Sequence, residues 1–254
     1  MTNEVILDIK NLSLSIVDEE NKDHCILNDV SMEISSGKIT CLVGESGSGK
    51  SMTMASILGI IPEMAYFGTN SSIAFGGKSI YAIFQDPMNS FNQSIKVGRQ
   101  LYQMAKGYLN ITREAFDVEI RKVLTKLNFD NPALVLEQYP FELSGGMLQR
   151  LMIGCGIFIK PSLIIADEPT TALDVTVQKD ILKTLMRINR EQKITILLVT
   201  HDFGVVAEVA DEVIVMQSGE IVERNNVFTL FDQPQKDYTK RLIAATFKGE
   251  TKCY

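Results

Sequence analysis

Cysteine is scarce and irregularly placed. The 254 residues hold four, Cys25, Cys41, Cys155 and Cys253, and none form a C-x-x-C pair. A disulfide framework is not expected, and with only two histidines, His24 and His201, a zinc site lacks ligands. The thiols read as buried or incidental groups in a reducing compartment. Long apolar runs are missing too. The longest stretch without a charged residue covers residues 64–77, and glycine, asparagine and serine interrupt it. A membrane-spanning helix needs about 18 to 20 mostly apolar residues, so the chain is not expected to cross a bilayer by itself. Its first residues show no basic segment followed by an apolar one, so no secretory signal is expected. Positive charge is not in excess. A net charge of −6 and a pI near 5.1 argue against broad contact with a nucleic-acid backbone, while leaving a local basic groove open.

What is present is an ordinary globular balance, 45% hydrophobic and 22% charged, in a length that suits one large domain or two small ones. The first third is β-rich, with alternating segments at 5–9, 12–17 and 30–34. Residues 39–43 form a short apolar run of the buried-strand type, and a helix is expected over 52–58. Further strands are expected at 73–75 and 80–84. Between about 93 and 159 the spacing turns helical, at 97–104, 113–127 and 146–159, punctuated by Asn131-Pro132 and Tyr139-Pro140. Strands then alternate with helices: 163–166, 195–199 and 213–216 against 175–190 and 203–210. Short apolar strands separated by helices predict a parallel sheet covered on both faces, with a helical stretch inserted in an α/β core.

The strand at 39–43 runs directly into Gly44-Glu-Ser-Gly-Ser-Gly-Lys-Ser51. Gly44-x-x-x-x-Gly49-Lys50-Ser51 is the P-loop pattern: glycines let the backbone wrap a phosphate and turn its amides inward, and the next helix adds its positive end. Lys50 then reaches the β- and γ-phosphates and Ser51 ligates magnesium. A second strand ends in Asp167-Glu168, at the edge where parallel sheets bind ligands. Asp167 is placed to hold the metal through water and Glu168 to polarise the attacking water. A third strand closes with His201-Asp202, on the same edge if the strands are parallel, so His201 is a candidate for contact with γ-phosphate or water.

Leu143-Ser-Gly-Gly-Met-Leu-Gln-Arg150 extends the pattern. Together with the motifs above it resembles the ATP-binding subunits of ABC transporters, over about residues 5–231. The resemblance implies a P-loop NTPase core with a parallel sheet, an N-terminal antiparallel β region and an inserted helical subdomain at about 86–158. It implies a single ATP-binding domain over 1–240 and a short tail, 241–254. It also implies bound ATP and Mg2+. The nucleotide set is Gly44, Glu45, Ser46, Gly47, Ser48, Gly49, Lys50, Ser51, Met52 and Gln85. The signature Ser144, Gly145 and Gly146, with Asp174 of Thr171-Ala-Leu-Asp174, would face the partner in a head-to-tail dimer. Ser51, Gln85 and Asp167 are the implied metal ligands, and Glu168, His201 and Lys50 the catalytic residues.

Phe84-Gln-Asp-Pro-Met88, Ala166-Asp-Glu-Pro-Thr-Thr-Ala-Leu-Asp-Val-Thr176 and Asp237-Tyr-Thr-Lys-Arg-Leu242 are similar to the peptide/nickel importer branch. That implies two membrane permeases, a second ATPase, an extracytoplasmic solute-binding protein and a place on the cytoplasmic face of the membrane. Peptides, nickel and metal–chelator complexes are cargo within the branch. The chain departs from the pattern in places. His24 stands nearest to the aromatic residue that many members stack on adenine. Phe91-Asn92-Gln93 stands where many read Leu-Asn-Pro. Gly154 and Gly156 replace alanines of the signature helix, implying tight packing or a softer helix. Only Cys253 lies in the tail, so no iron–sulfur cluster is expected. The alternative is an ABC ATPase acting on nucleic acid or ribosomes; the acidic balance speaks against it.

Overall fold

Apolar residues at alternate positions make the first two strands one-sided. In the computed structural model, which describes residues 4–170 and 175–249, these are β1 (Val5–Val17) and β2 (Asp23–Ser35), paired antiparallel. Asp174 and Cys253 lie outside the described residues. Leu7, Ile9, Leu12 and Leu14 of β1 and Leu27, Val30, Met32 and Ile34 of β2 are buried. The expected break in β1 is a register shift between Ile9 and Leu12. Asn11 takes a left-handed conformation there, φ 50°, and its side-chain Nδ2 donates to Asp29 Oδ1 at 2.8 Å. The chain continues through β3 (Ile39–Val43), α1 (Lys50–Leu58), β4 (Ala65–Phe67) and β5 (Ser72–Phe75), the last two pairing with β1.

Two compact units emerge, Met1–Gly77 with Thr195–Tyr254, and Lys78–Ile194. The second contains β6 (Ile80–Ile83), α2 (Val97–Tyr108), α3 (Arg113–Lys126), α4 (Pro132–Glu137), α5 (Gly145–Ile159), β7 (Leu163–Asp167) and α6 (Val175–Gln192). β6 and β7 are parallel. Leu101 of α2, Phe116, Ile120 and Leu124 of α3, and Leu148 and Leu151 of α5 form its core. The two glycines of α5 are packing sites. A Cβ on Gly154 would meet Leu127 Cδ1 at 3.0 Å and Leu124 Cδ2 at 3.1 Å; one on Gly156 would meet the Tyr81 ring at 3.0 Å. Tyr81 cannot yield easily, since its hydroxyl donates to the Met152 carbonyl at 2.9 Å. Nearby Cys155 is buried, which pushes its thiol up to about 12 and makes it unreactive.

The chain re-enters the first unit through β8 (Thr195–Thr200), α7 (Phe203–Val209), β9 (Glu212–Gln217), β10 (Glu220–Asn226), α8 (Val227–Asp232) and α9 (Asp237–Gly249). The strand order in this unit's second sheet is β10-β9-β3-β8, with β3 parallel to β8 and β9 and β10 antiparallel to β9. β3 and β8 are buried along their whole length, as strands of a parallel sheet covered on both faces should be. Glu223 of β10 is 8% exposed and accepts the amides of Gln235 and Lys236, at 2.8 and 3.0 Å. It thereby fixes the chain's entry into α9.

Two measurements test this packing. Alanine in place of helical glycine gains about 1 kcal/mol of propensity, whereas overfilling a packed core costs about 1–3 kcal/mol. Gly156→Ala should lower the melting midpoint because Tyr81 is pinned. Gly154→Ala should leave it unchanged or raise it because leucine ends can shift. Burial pushes the Glu223 carboxyl up, but its amide donors outweigh this and hold it below the ordinary carboxylate value. Its contribution is therefore full above the unfolded-state pKa and is lost as pH falls through the lower folded value. Glu223→Gln should flatten the acid side of a denaturation–pH profile; an unchanged acid side would show that Glu223 is not the group responsible.

Candidate active site

β3 ends between two neighbours. Val43 lies opposite Thr200 of β8 and Val215 of β9, so the position of Gly44 is set by both. A Cβ on Gly44 would come within 2.3 Å of the Met216 carbonyl oxygen, so only glycine fits. The chain turns there into the loop 44–49 and enters α1 at Lys50. Gly49, the residue that caps α1, has φ 104° and no side chain with which to take the helix amides. The contrast with α5 and α7 is chemical. Ser144 Oγ accepts the Met147 amide at 3.3 Å, and Asp202 Oδ1 accepts the Gly204 amide at 2.7 Å. The start of α1 is left for an anion, with no acidic residue in its first turn.

The loop is held from outside. The Gly219 amide donates to the Ser48 carbonyl at 3.0 Å, and the Glu45 amide donates to the Tyr238 hydroxyl at 3.1 Å. Lys50 is 7% exposed, and its ammonium donates to the carbonyls of Gly44 at 2.8 Å and Glu45 at 2.9 Å. Among the described residues, the amides of Ser46, Gly47 and Gly49 have no protein acceptor. These are the groups a phosphate needs. Ser51 is exposed and Met52 half-buried on the first turn of α1. His201 follows β8 directly, at the same sheet edge as Gly44, and is exposed. The first unit thus brings the expected P-loop residues and His201 to one edge.

The second unit brings together the carboxylates and Gln85. Ile83 of β6 lies opposite Ala166 of β7, so Gln85 and Glu168 sit at equal distances beyond the paired ends. Gln85 Nε2 donates to Glu168 Oε2 at 3.0 Å. Glu168 has φ 42°, an uncommon conformation for a glutamate and one stored at the end of a strand. Asp167 is half-buried beside it. Ser144, Gly145 and Gly146 open α5, where a Cβ on Gly145 would lie 3.9 Å from Pro87 Cγ. Ser51 offers a hydroxyl in the first unit, and Gln85 and Asp167 offer an amide oxygen and a carboxylate in the second. Such hard oxygen donors fit Mg2+, which takes one or two carboxylates and completes its shell with water and phosphate. Among the described residues, no cluster of three His, Cys, Asp or Glu groups could hold a metal.

The ABC transporter family profile matches residues 27–171. The chain belongs to this family. It is 36% identical to the dipeptide transport ATP-binding protein DppD of Bacillus subtilis, over 95% of this chain and 77% of that protein. It is 36% identical to the oligopeptide transport ATP-binding protein OppD of Lactococcus lactis subsp. cremoris, over 99% of this chain and 78% of that one. Against the glutathione import ATP-binding protein GsiA of Escherichia coli K12 it is 34% identical over 94% of its length, but spans only 42% of that protein. The fold matches the cbiO1 structure from Clostridium perfringens, described as part of the ABC transporter complex cbiONQ. There the TM-score is 0.74 at 23% identity, over 97% of this chain and 99% of that one. A dimeric ATP-binding cassette, MJ0796, bound to ADP and Pi gives 0.75 at 22% identity, over 87% of this chain and 98% of that one.

Two residues of this ABC cassette stand apart. His24 lies in β2 with Nε2 2.7 Å from Asp18 Oδ2, an exposed pair that draws the Asp18 carboxyl below its usual range. Tyr238 reaches the P-loop, although the sequence pointed to its segment only as a mark of the importer branch. Gly44→Ala should weaken Mg-ATP binding more than tenfold in a chain that still folds, read by equilibrium binding and circular dichroism. Wild-type affinity would show that the Met216 carbonyl does not shape the loop.

Proposed function

We propose that this chain is the ATP-hydrolysing subunit of an importer, coupling ATP binding and hydrolysis to peptide uptake through partner permeases. The observation that carries the reading is the Gln85–Glu168 hydrogen bond at the β6/β7 edge, which joins the start of the helical segment to a strand-end carboxylate. The names of the relatives support peptides as cargo, and nothing among them favours nickel or metal chelates. They give no support to the nucleic-acid alternative. Among the described residues, no helix is long and apolar enough to cross a membrane. This suits a subunit bound peripherally at the cytoplasmic face, beneath two permeases that receive cargo from a solute-binding protein.

In this reading the loop amides and Lys50 bind the phosphates, and Ser51, Gln85 and Asp167 would hold Mg2+. When bound, the ion would supply positive charge against the phosphate oxygens. Glu168 orients the attacking water, and the hydrogen bond from Gln85 limits where its carboxylate points. His201 fixes the γ-phosphate. Phosphoryl transfer asks mainly for positioning and charge stabilisation, which these groups supply. Ser144, Gly145 and Gly146 meet the nucleotide of a second cassette head-to-tail, and Asp174 contacts that partner. Support for permease docking comes from a cavity of about 400 Å³ beside Gln85, lined by Phe84, Asp86, Asn89, Ser90 and Met104. Phe84 and Met88 are exposed beside it, and Gln93 ties the loop by donating to the Met88 carbonyl at 2.8 Å.

Glu168→Gln should keep ATP binding and lose turnover by roughly a hundredfold or more. Undiminished hydrolysis would remove Glu168 from the mechanism. Ser144→Arg should damage the partner's site instead of its own. In mixed populations, Ser144→Arg chains should retain activity when paired with Glu168→Gln chains. Activity that fails in every mixture would sink the head-to-tail arrangement.

A further inference from the structure

We propose that Tyr238 is a positioning residue of the phosphate-binding loop, acting through Glu45 on Lys50. The inference rests on the ATP-binding reading of the loop and adds to it a residue nearly two hundred positions away in the sequence.

The geometry is a chain of contacts within the first unit. Glu45 is held at both ends of its backbone. Its amide donates to the Tyr238 hydroxyl at 3.1 Å, and its carbonyl accepts from Lys50 Nζ at 2.9 Å. The peptide plane that carries this amide also carries the Gly44 carbonyl, which accepts from Lys50 Nζ at 2.8 Å, so the phenol decides where both carbonyls that receive the ammonium sit. It also divides the labour of the loop. An amide pledged to Tyr238 is withheld from ligand, while the amides of Ser46, Gly47 and Gly49 are not so pledged.

Tyr238 is itself well placed to act as a fixed stop. It is 7% exposed, on the first turn of α9, and burial pushes its hydroxyl above the ordinary phenol range, so it stays protonated. The start of α9 is anchored one residue upstream, where Glu223 takes the amides of Gln235 and Lys236. Arg241, three residues on along the helix, lies with its guanidinium 6.0 Å from the ring centroid. A tyrosine on a loose tail would leave Glu45 free to rotate; this one is pinned between β10 and the loop. Any displacement of the start of α9 reaches Lys50 through the Gly44–Glu45 peptide unit, whose N–H donates to Tyr238 and whose carbonyl accepts the ammonium at 2.8 Å.

The test uses the full chain and Mg-ATP. Tyr238→Phe keeps the ring and its packing and deletes only the hydroxyl. A hydrogen bond of this kind sets affinity by a factor of roughly three to ten. The dissociation constant for Mg-ATP should rise by that factor, and the upward shift of the melting midpoint produced by saturating ATP should shrink. Lys50→Ala, measured in parallel, should abolish binding. Wild-type ATP affinity in Tyr238→Phe overturns the proposal, whether or not the nucleotide-free melting midpoint falls, because a purely structural tyrosine lowers stability without changing affinity. Wild-type affinity in Lys50→Ala would instead overturn the phosphate-site reading on which the proposal stands. Removing the anchor separates the two ends of the relay: Glu223→Gln should weaken ATP binding in the same direction as Tyr238→Phe, and the double variant should add little. Independent, additive losses would show that α9 does not act on the loop through Tyr238.

Discussion

The crowding at the end of β3 shapes the first unit. A side chain at residue 44 would meet the Met216 carbonyl of β9 at 2.3 Å, and β8 closes the other side of the strand. The chain cannot continue as a strand with a side chain, so it folds back and becomes the loop. Beyond its own bonds from Lys50 and Ser48, the loop takes its form from neighbours: the Gly219 amide on Ser48, the Tyr238 hydroxyl on Glu45, the sheet register beneath. The glycine-rich sequence permits this path; the surrounding strands impose it.

Strain has a comparable place in the second unit. A non-glycine residue in the left-handed region costs on the order of 1–3 kcal/mol, and Glu168 pays it immediately before Pro169. The cost is borne by β7, buried over residues 163–166, and by the parallel register with β6 that puts Gln85 at hand. The result is a carboxylate presented at a strand end, turned out of the apolar run that precedes it. A relaxed extended conformation at residue 168 would send the side chain along the alternation of the strand. Conformation and hydrogen bond act together, each removing freedom that the other leaves.

The elements that could be read from the sequence were those whose signal is local. The run 39–43 and its loop, the helix at 146–159 that stands as α5, and the strand ending at Asp167 all stand as expected, with boundaries shifted by a residue or two. What escaped the reading depends on contacts distant in the chain. β4 is three residues long and exists because β1 pairs with it. β10 carries a buried glutamate whose partners are amides of the segment before α9, so its pattern does not alternate cleanly. Asn131-Pro132 was read as punctuation, yet Asn131 caps α4 by accepting the Leu134 amide at 3.1 Å and Pro132 occupies its first turn. The open choice at Gly154 and Gly156 falls to tight packing, because the leucine and tyrosine side chains fill the space that a methyl group would need. Tyr238 was visible as a residue and invisible as a contact, since nothing near it in sequence mentions Glu45.

An acidic chain with an anion site poses an electrostatic question that the loop itself resolves. Residues 44–52 contain one acid, Glu45, and one base, Lys50, so their formal charges cancel. Attraction for phosphate therefore comes from orientation: amides turned inward, and a helix start that no side chain caps and no acid opposes. Fixed dipoles of this sort act over a few ångströms and fade within the first turn, whereas the net charge of −6 is spread over the whole surface and screened beyond about 8 Å at physiological ionic strength. Binding then depends on how firmly the amides are held in place. That requirement explains why two of the loop's backbone groups, the Ser48 carbonyl and the Glu45 amide, are tied to residues far away in the sequence, and why a neutral phenol at its edge can matter as much as an added charge.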